Sequence, residues 1–239
     1  MRVGSIRRVC ALVLVCAALT PAFHADAVSV SADDIARTRA YAENAMRESA
    51  KTSAASLGEY LDSLQMRCLV ENIGDGNIAR AEQLLGKTNQ FNATTRRHSA
   101  EFIREFLRRP KAVGKTFRLS DKFGDFGIVG VLLASEINGA LEIDTFVMSC
   151  RAMGRGFEEL MLAEAVASAR ALGLERVRGA YIPTPKNAKI AGFYKQNGFA
   201  EAGAEGGASL FEIAAADFAP QDFRIAAEGC CEFKRQTAR

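Results

Sequence analysis

The sequence has no tryptophan, five prolines, two histidines and only 8% aromatic residues. Two histidines (His24 and His98) leave little from which to build a metal centre. No C-x-x-C pair and no H-E-x-x-H string occurs, so neither a structural nor a catalytic zinc site is expected. The six cysteines (Cys10, Cys16, Cys68, Cys150, Cys230 and Cys231) are scattered, suggest no disulfide framework, and read as reduced thiols. An excess of one charge is also missing. Lys and Arg total 31 against 28 Asp and Glu, a balance of +3, and basic runs extend no further than pairs such as Arg96-Arg97. That balance excludes the footprint of a nucleic-acid binder.

Long apolar runs are absent as well. The longest, Val9 to Thr20, is too short to cross a bilayer as a helix. It follows Arg2, Arg7 and Arg8 and precedes Ala25-Asp26-Ala27, an A-x-A pattern, so residues 1–27 read either as a secretory leader or as a remnant helix of a larger parent. What remains is ordinary globular material, 49% apolar and 25% charged. At 239 residues the chain holds one domain, or one and a half.

Periodicity and turn chemistry organise the rest. A long polar helix opens after Val28, with Ser31 as its cap and Asp33 and Asp34 in the first turn, and Lys51-Thr52-Ser53 breaks it. A short helix over 57–64 leads into a strand over 66–72, and residues 28–66 read as a helical linker. Ile78, Ala81, Leu84 and Leu85 recur at helical spacing over 77–86. The polar stretch 87–97 reads as a solvated loop before a helix capped by Ser99 and ended before Pro110. Strands follow over 116–121, 127–135 and 140–150, the last two joined by Asn138-Gly139, a strong hairpin signal. Then come a helix over 157–172 closed by Gly173, a strand over 177–182, a short helix over 187–197 and a final hairpin ending near 211–214. Residues 67–219 read as one domain and 220–239 as a flexible tail.

The chemistry concentrates where a strand runs into Arg151-Ala152-Met153-Gly154-Arg155-Gly156 and then a helix. Glycines allow close approach of backbone to a phosphate, and a helix start adds unpaired N–H groups and the positive end of its dipole. The same spacing also suits a tight strand-to-helix turn with no ligand.

The order of antiparallel strands, R-x-x-G-x-G loop, helix, strand, then Asn187, Ala191, Phe193, Tyr194, Gly198 and Phe199 resembles the GNAT acyl-CoA N-acyltransferase superfamily. The resemblance implies an α/β (α+β) fold, a mixed and mostly antiparallel sheet flanked by helices and preceded by a helical linker. It also implies an acyl-CoA or phosphopantetheine thioester donor held between two splayed strands, here 140–150 and 176–182. By that resemblance Arg151, Gly154, Arg155, Gly156, Phe157 and Asn187 bind the donor, and Tyr194 protonates the departing thiolate. Asp144 and Glu142, on the strand beside the loop, offer a general base or water-orienting group, or else ordinary ion-paired carboxylates. Cys150 abuts the loop as a possible nucleophile, or as buried packing.

A narrower resemblance rests on the strings KTNQFNATTRR, RLSDKFGDFGIVGV, IDTFVMSCRAMGRGFEE and YIPTPKNAKIAGFY, in that order over roughly residues 28–214. They resemble the C-terminal part of FkbH-like proteins, which join a haloacid-dehalogenase-type (HAD) domain to a GNAT-like one and load acyl carrier proteins in polyketide pathways. The D-x-D-x-T nucleophile motif of the HAD-type domain does not occur, so its phosphoryl and glyceryl chemistry does not transfer. Implied partners are a small-molecule thioester, an acyl carrier protein or a separate HAD-type protein, with no nucleic acid. Asn89, Gln90, Asn92, Thr95, Arg96 and Arg97 form a substrate-side or carrier-facing surface, or a self-bonded loop. A thioester donor places the protein in the cytoplasm, against the secretory look of residues 1–27. The two functional expectations are acyl transfer and a non-catalytic carrier-binding remnant.

Overall fold

The computed structural model describes residues 32–221 and 223–229. Residues 1–27, whether leader or remnant helix, and the Ser31 cap lie outside the described residues. The chain divides into two units between Arg39 and Ala40, and apart from the start of the first helix the description below concerns the second.

Helix α1 (Ala32–Ser53) continues through the residues expected to break it. The Thr52 and Ser53 hydroxyls donate back to the carbonyls of Glu48 and Ser49, each at 2.9 Å, which satisfies them without ending the helix. Arg47 anchors this helix. Its Nε and a terminal nitrogen donate to both oxygens of Asp121 at 2.7 and 2.9 Å, and its guanidinium lies 4.2 Å above the Phe126 ring. Helix α2 (Leu57–Leu64) is capped by Ser56, which accepts from the Glu59 amide. Tyr60, Leu64 and Met66, at the end of the stretch expected to be a linker, are buried in the domain core.

Strand β1 (Arg67–Asn72) leads to α3 (Ile78–Lys87), whose Ile78, Ala81, Leu84 and Leu85 are all buried, as their spacing requires. A two-residue strand, β2 (Phe91–Asn92), and α4 (Ala100–Phe106) follow, the latter capped by Ser99. Strands β3 (Val113–Asp121), β4 (Gly124–Ile137) and β5 (Ala140–Met148) form an antiparallel meander. Asn138 and Gly139, with φ of 50° and 76°, make the two-residue turn between the last two. Helix α5 (Phe157–Ala171) crosses to β6 (Arg176–Tyr181), which lies parallel to β5. A short helix α6 (Phe193–Gln196) and the hairpin β7 (Ala200–Glu205) and β8 (Ala208–Ala214) close the order.

The main sheet runs β7-β8-β6-β5-β4-β3-β1, with α3 and α4 over one face and α5 over the other. This is the mixed, mostly antiparallel α/β architecture that was expected. A further expected feature differs. Within the stretch expected to be a loose tail, β9 (Ala226–Gly229) pairs in parallel with β1 and Ile225 is buried. Among the described residues, no helix is long and apolar enough to cross a membrane.

Candidate active site

Strands β5 and β6 pair only from Ala140 to Glu142 against Arg176 to Arg178 and then diverge. Two local features shape the opening between them. The first is a bulge: Leu133 faces Thr145 and Ala134 faces Ile143, which leaves Asp144 without a partner on β4. Such a bulge re-aims a side chain. The Asp144 carboxylate accepts from His98 Nε2 at 2.7 Å, from the Thr145 hydroxyl at 2.8 Å, and from Arg96. Burial pushes the Asp144 carboxyl up, but the bonds from His98 and Thr145 and the Arg96 charge outweigh it and hold it below the usual carboxylate range. A carboxylate held so firmly as an anion is a poor proton acceptor. It is instead an orienting group for His98, whose ring stacks on Phe102 with centroids 3.9 Å apart. With Nε2–H directed at Asp144, Nδ1 is the basic position of the imidazole.

The second feature fills the opening. Phe91 and Asn92 pair with Met148 and Val147 on the edge of β5 that faces β6. The next residues continue across: the Ile182 amide donates to Ala93 O at 2.8 Å, and Thr94 Oγ1 donates to Asp144 O at 2.9 Å. Phe91 is buried against Phe146 and Phe193. The stretch expected to be a solvated loop is therefore, over residues 91–94, a buried strand-like wedge.

Asn187 holds the wedge. Its Nδ2 donates to Asn92 O at 3.0 Å and Ile182 O at 2.9 Å, while Oδ1 accepts from the Thr184 amide at 2.8 Å. Its side chain, expected to contact the donor, is completely enclosed.

Tyr194, expected to protonate the departing thiolate, lies in the core. Its ring is buried among Phe193, Phe199 and Phe211, the hydroxyl has no partner, and burial pushes its pKa up. It packs so tightly beneath β6 that a Cβ placed at Gly179 would lie 2.3 Å from the ring.

At the glycine loop, Gly154 and Gly156 have φ of 71° and 78°, the left-handed turn that glycine permits. The loop supplies its own acid, since the Gly154 amide donates to Glu158 Oε1 at 3.1 Å. Burial, reinforced by the neighbouring charge of Glu158, pushes the Glu159 carboxyl up. Arg155 does not reach toward a phosphate at the loop; it lies 3.9 Å from Asp121 and above the Phe126 ring, because the buried Asp121 carboxylate draws it to the β3–β4 hairpin. Phe157 buries its ring edge-on to Phe117. Phe223 lies against Gly156. Of the residues expected to hold the donor, Arg151 is exposed at a cavity that Ser149 and the exposed thiol of Cys150 also line. Glu142 sits where β5 and β6 are still paired, away from the opening. Among the described residues no cluster of His, Cys, Asp or Glu is arranged to hold a metal ion.

No family model matches the sequence, and no curated protein is significantly similar to it. Solved structures resemble it in shape. A domain from Methanocaldococcus jannaschii DSM 2661 aligns at a TM-score of 0.49 and 12% identity, over 62% of this chain and 99% of that one. Ard1 from Thermoplasma volcanium gives 0.48 and 14%, over 62% and 97%. The ribosomal-protein-S18-alanine N-acetyltransferase from Escherichia coli gives 0.46 and 11%, over 62% and 94%.

His98 escaped sequence reasoning as a site residue. Its sole signal was scarcity, as one of two histidines.

Proposed function

We propose that this chain is an acyltransferase of the GNAT type, taking an acyl group from a CoA or carrier-borne phosphopantetheine thioester. The observation that carries this reading is the divergence of β5 from its parallel neighbour β6 directly beside a histidine paired with a carboxylate. In this reading His98 Nδ1 accepts a proton from an attacking amine or hydroxyl. The nucleophile bonds to the thioester carbon, the carbon–sulfur bond breaks, and the thiolate leaves with the electron pair. Asp144 holds the imidazole in one tautomer and stabilises its protonated form. Because residues 91–94 occupy the β5 edge, engagement of the donor arm on that edge requires their withdrawal.

The test is acetyl-CoA with a panel of amines and alcohols, monitored by thiol release and by thermal melting. A donor-dependent rise in melting temperature is expected, together with thiol release that falls by about a hundredfold or more in His98→Gln, the size typical of losing a positioned base. Donor binding should survive that change.

The occupied opening and the Glu158 carboxylate on the loop favour a second reading, a non-catalytic module that keeps the fold and binds a carrier or HAD-type partner. Absence of thiol release and of any donor-induced melting shift would leave this second reading standing.

A further inference from the structure

Three cavities of about 380, 250 and 350 Å³ adjoin at Asn89, which lines all of them, at the outer end of the filled opening. Their walls come from the end of α3, the 88–90 turn, residues 149–151 and the Pro185 to Lys189 segment. Six cations line them: Arg80, Lys87, Arg97, Arg151, Lys186 and Lys189. No Asp or Glu does. The ion pairs of the domain lie elsewhere, and cations such as Arg47, Lys115, Arg118 and Arg178 each have a carboxylate within reach. Among the described residues none of the six has one. Arg97 is nevertheless fixed in place, donating to Gly86 O and to Asn89 Oδ1, both at 2.7 Å. Asn89, Gln90 and Thr88 add amide and hydroxyl groups between the charges.

Like charges gathered around a concave surface without counter-charges raise the local potential and favour an anion. The glycine loop next to them has the opposite disposition, since its Gly154 amide is already bonded to Glu158. A dianionic phosphate placed there would displace one carboxylate and face another, Glu159, in the same helical turn.

We infer that these cavities form one phosphate-binding mouth, in which side-chain cations and not the backbone amides of the glycine loop hold the phosphate groups of a small-molecule ligand. This rests on the acyl-transfer reading only for the ligand's far end, a pantetheine arm directed toward the opening. The phosphate recognition itself depends on the mouth alone.

The experiment is calorimetric titration of the full chain with three probes: coenzyme A, pantetheine without phosphates, and inorganic pyrophosphate. Coenzyme A should bind and should weaken steeply with added salt. Pantetheine should bind at least about tenfold more weakly, and pyrophosphate should compete with coenzyme A. The exposed pair Lys186→Glu/Lys189→Glu should weaken coenzyme A by about tenfold or more with an unchanged melting temperature, and Lys87→Glu/Arg151→Glu should do the same from the other wall. Unchanged coenzyme A and pyrophosphate affinity in both pairs overturns the mouth, as does failure of either phosphate compound to bind. Phosphate binding that both pairs weaken, without turnover of any thioester, leaves the mouth standing and removes acyl transfer. Thioester turnover that both pairs leave untouched does the reverse.

Discussion

The glycine loop and the mouth beside it meet at Arg151, yet they are prepared for different things. The loop has the backbone of an anion site, with two left-handed glycines and a helix start, but its Gly154 amide is bonded to Glu158 and Phe223 lies against Gly156. The mouth has no regular backbone motif and, among the described residues, gathers six cations without a carboxylate. A motif marks where the chain turns. Charge and occupancy decide what can bind there. The same contrast holds at the opening between β5 and β6, where strand divergence provides a slot that residues 91–94 already fill.

The strongest test of that occupancy is Phe91→Ala. Removing a ring buried against Phe146 and Phe193 should destabilise the domain by about 3–5 kcal/mol in urea unfolding. A loss below about 1 kcal/mol would mean that the wedge is loosely held and that the slot opens readily. Next in size is Asn187→Ala, which leaves the Asn92 and Ile182 carbonyls and the Thr184 amide without their side-chain partner and should cost about 2–3 kcal/mol by the same measurement.

Asp144→Asn should cost about 1–2 kcal/mol at neutral pH, because His98 and Arg96 lose the anion they share. Since the folded carboxyl titrates below its unfolded value, its contribution is complete above the unfolded pKa of about 3.9 and is lost as pH falls through the folded value. The difference between wild type and variant in thermal melts should therefore shrink toward zero in strong acid. The smallest effect belongs to the loop. Glu158→Gln removes the charge beside Gly154 and should change pyrophosphate affinity by less than about threefold, since the phosphates sit at the mouth. A tenfold gain would move the anion site back to the loop.

Much of the framework could be read from residue order. The α3 stripe, the Ser99 cap, the Asn138-Gly139 turn and the Gly173 stop all depend on neighbours within a few positions, and each lies where local chemistry puts it. The site was legible only in outline. Asp144 was marked as a carboxylate beside the loop, but its partners His98 and Arg96 lie more than forty positions away. Arg155 follows the pattern of a phosphate ligand, yet Asp121 takes it. Tyr194 matches a motif position while its ring fills the core.

The sequence by itself determined the elements, their order and the places where the chain turns, because helix stripes, caps and hairpin residues act over a few bonds. Tertiary structure alone decided that a polar stretch becomes a wedge in the sheet and that a nominal tail adds a strand beside β1. It also decided that the cations of 80–97 meet those of 151–189. Pairing along a strand edge and the gathering of unpaired charge depend on which distant segments the fold brings side by side, and no local rule carries that information.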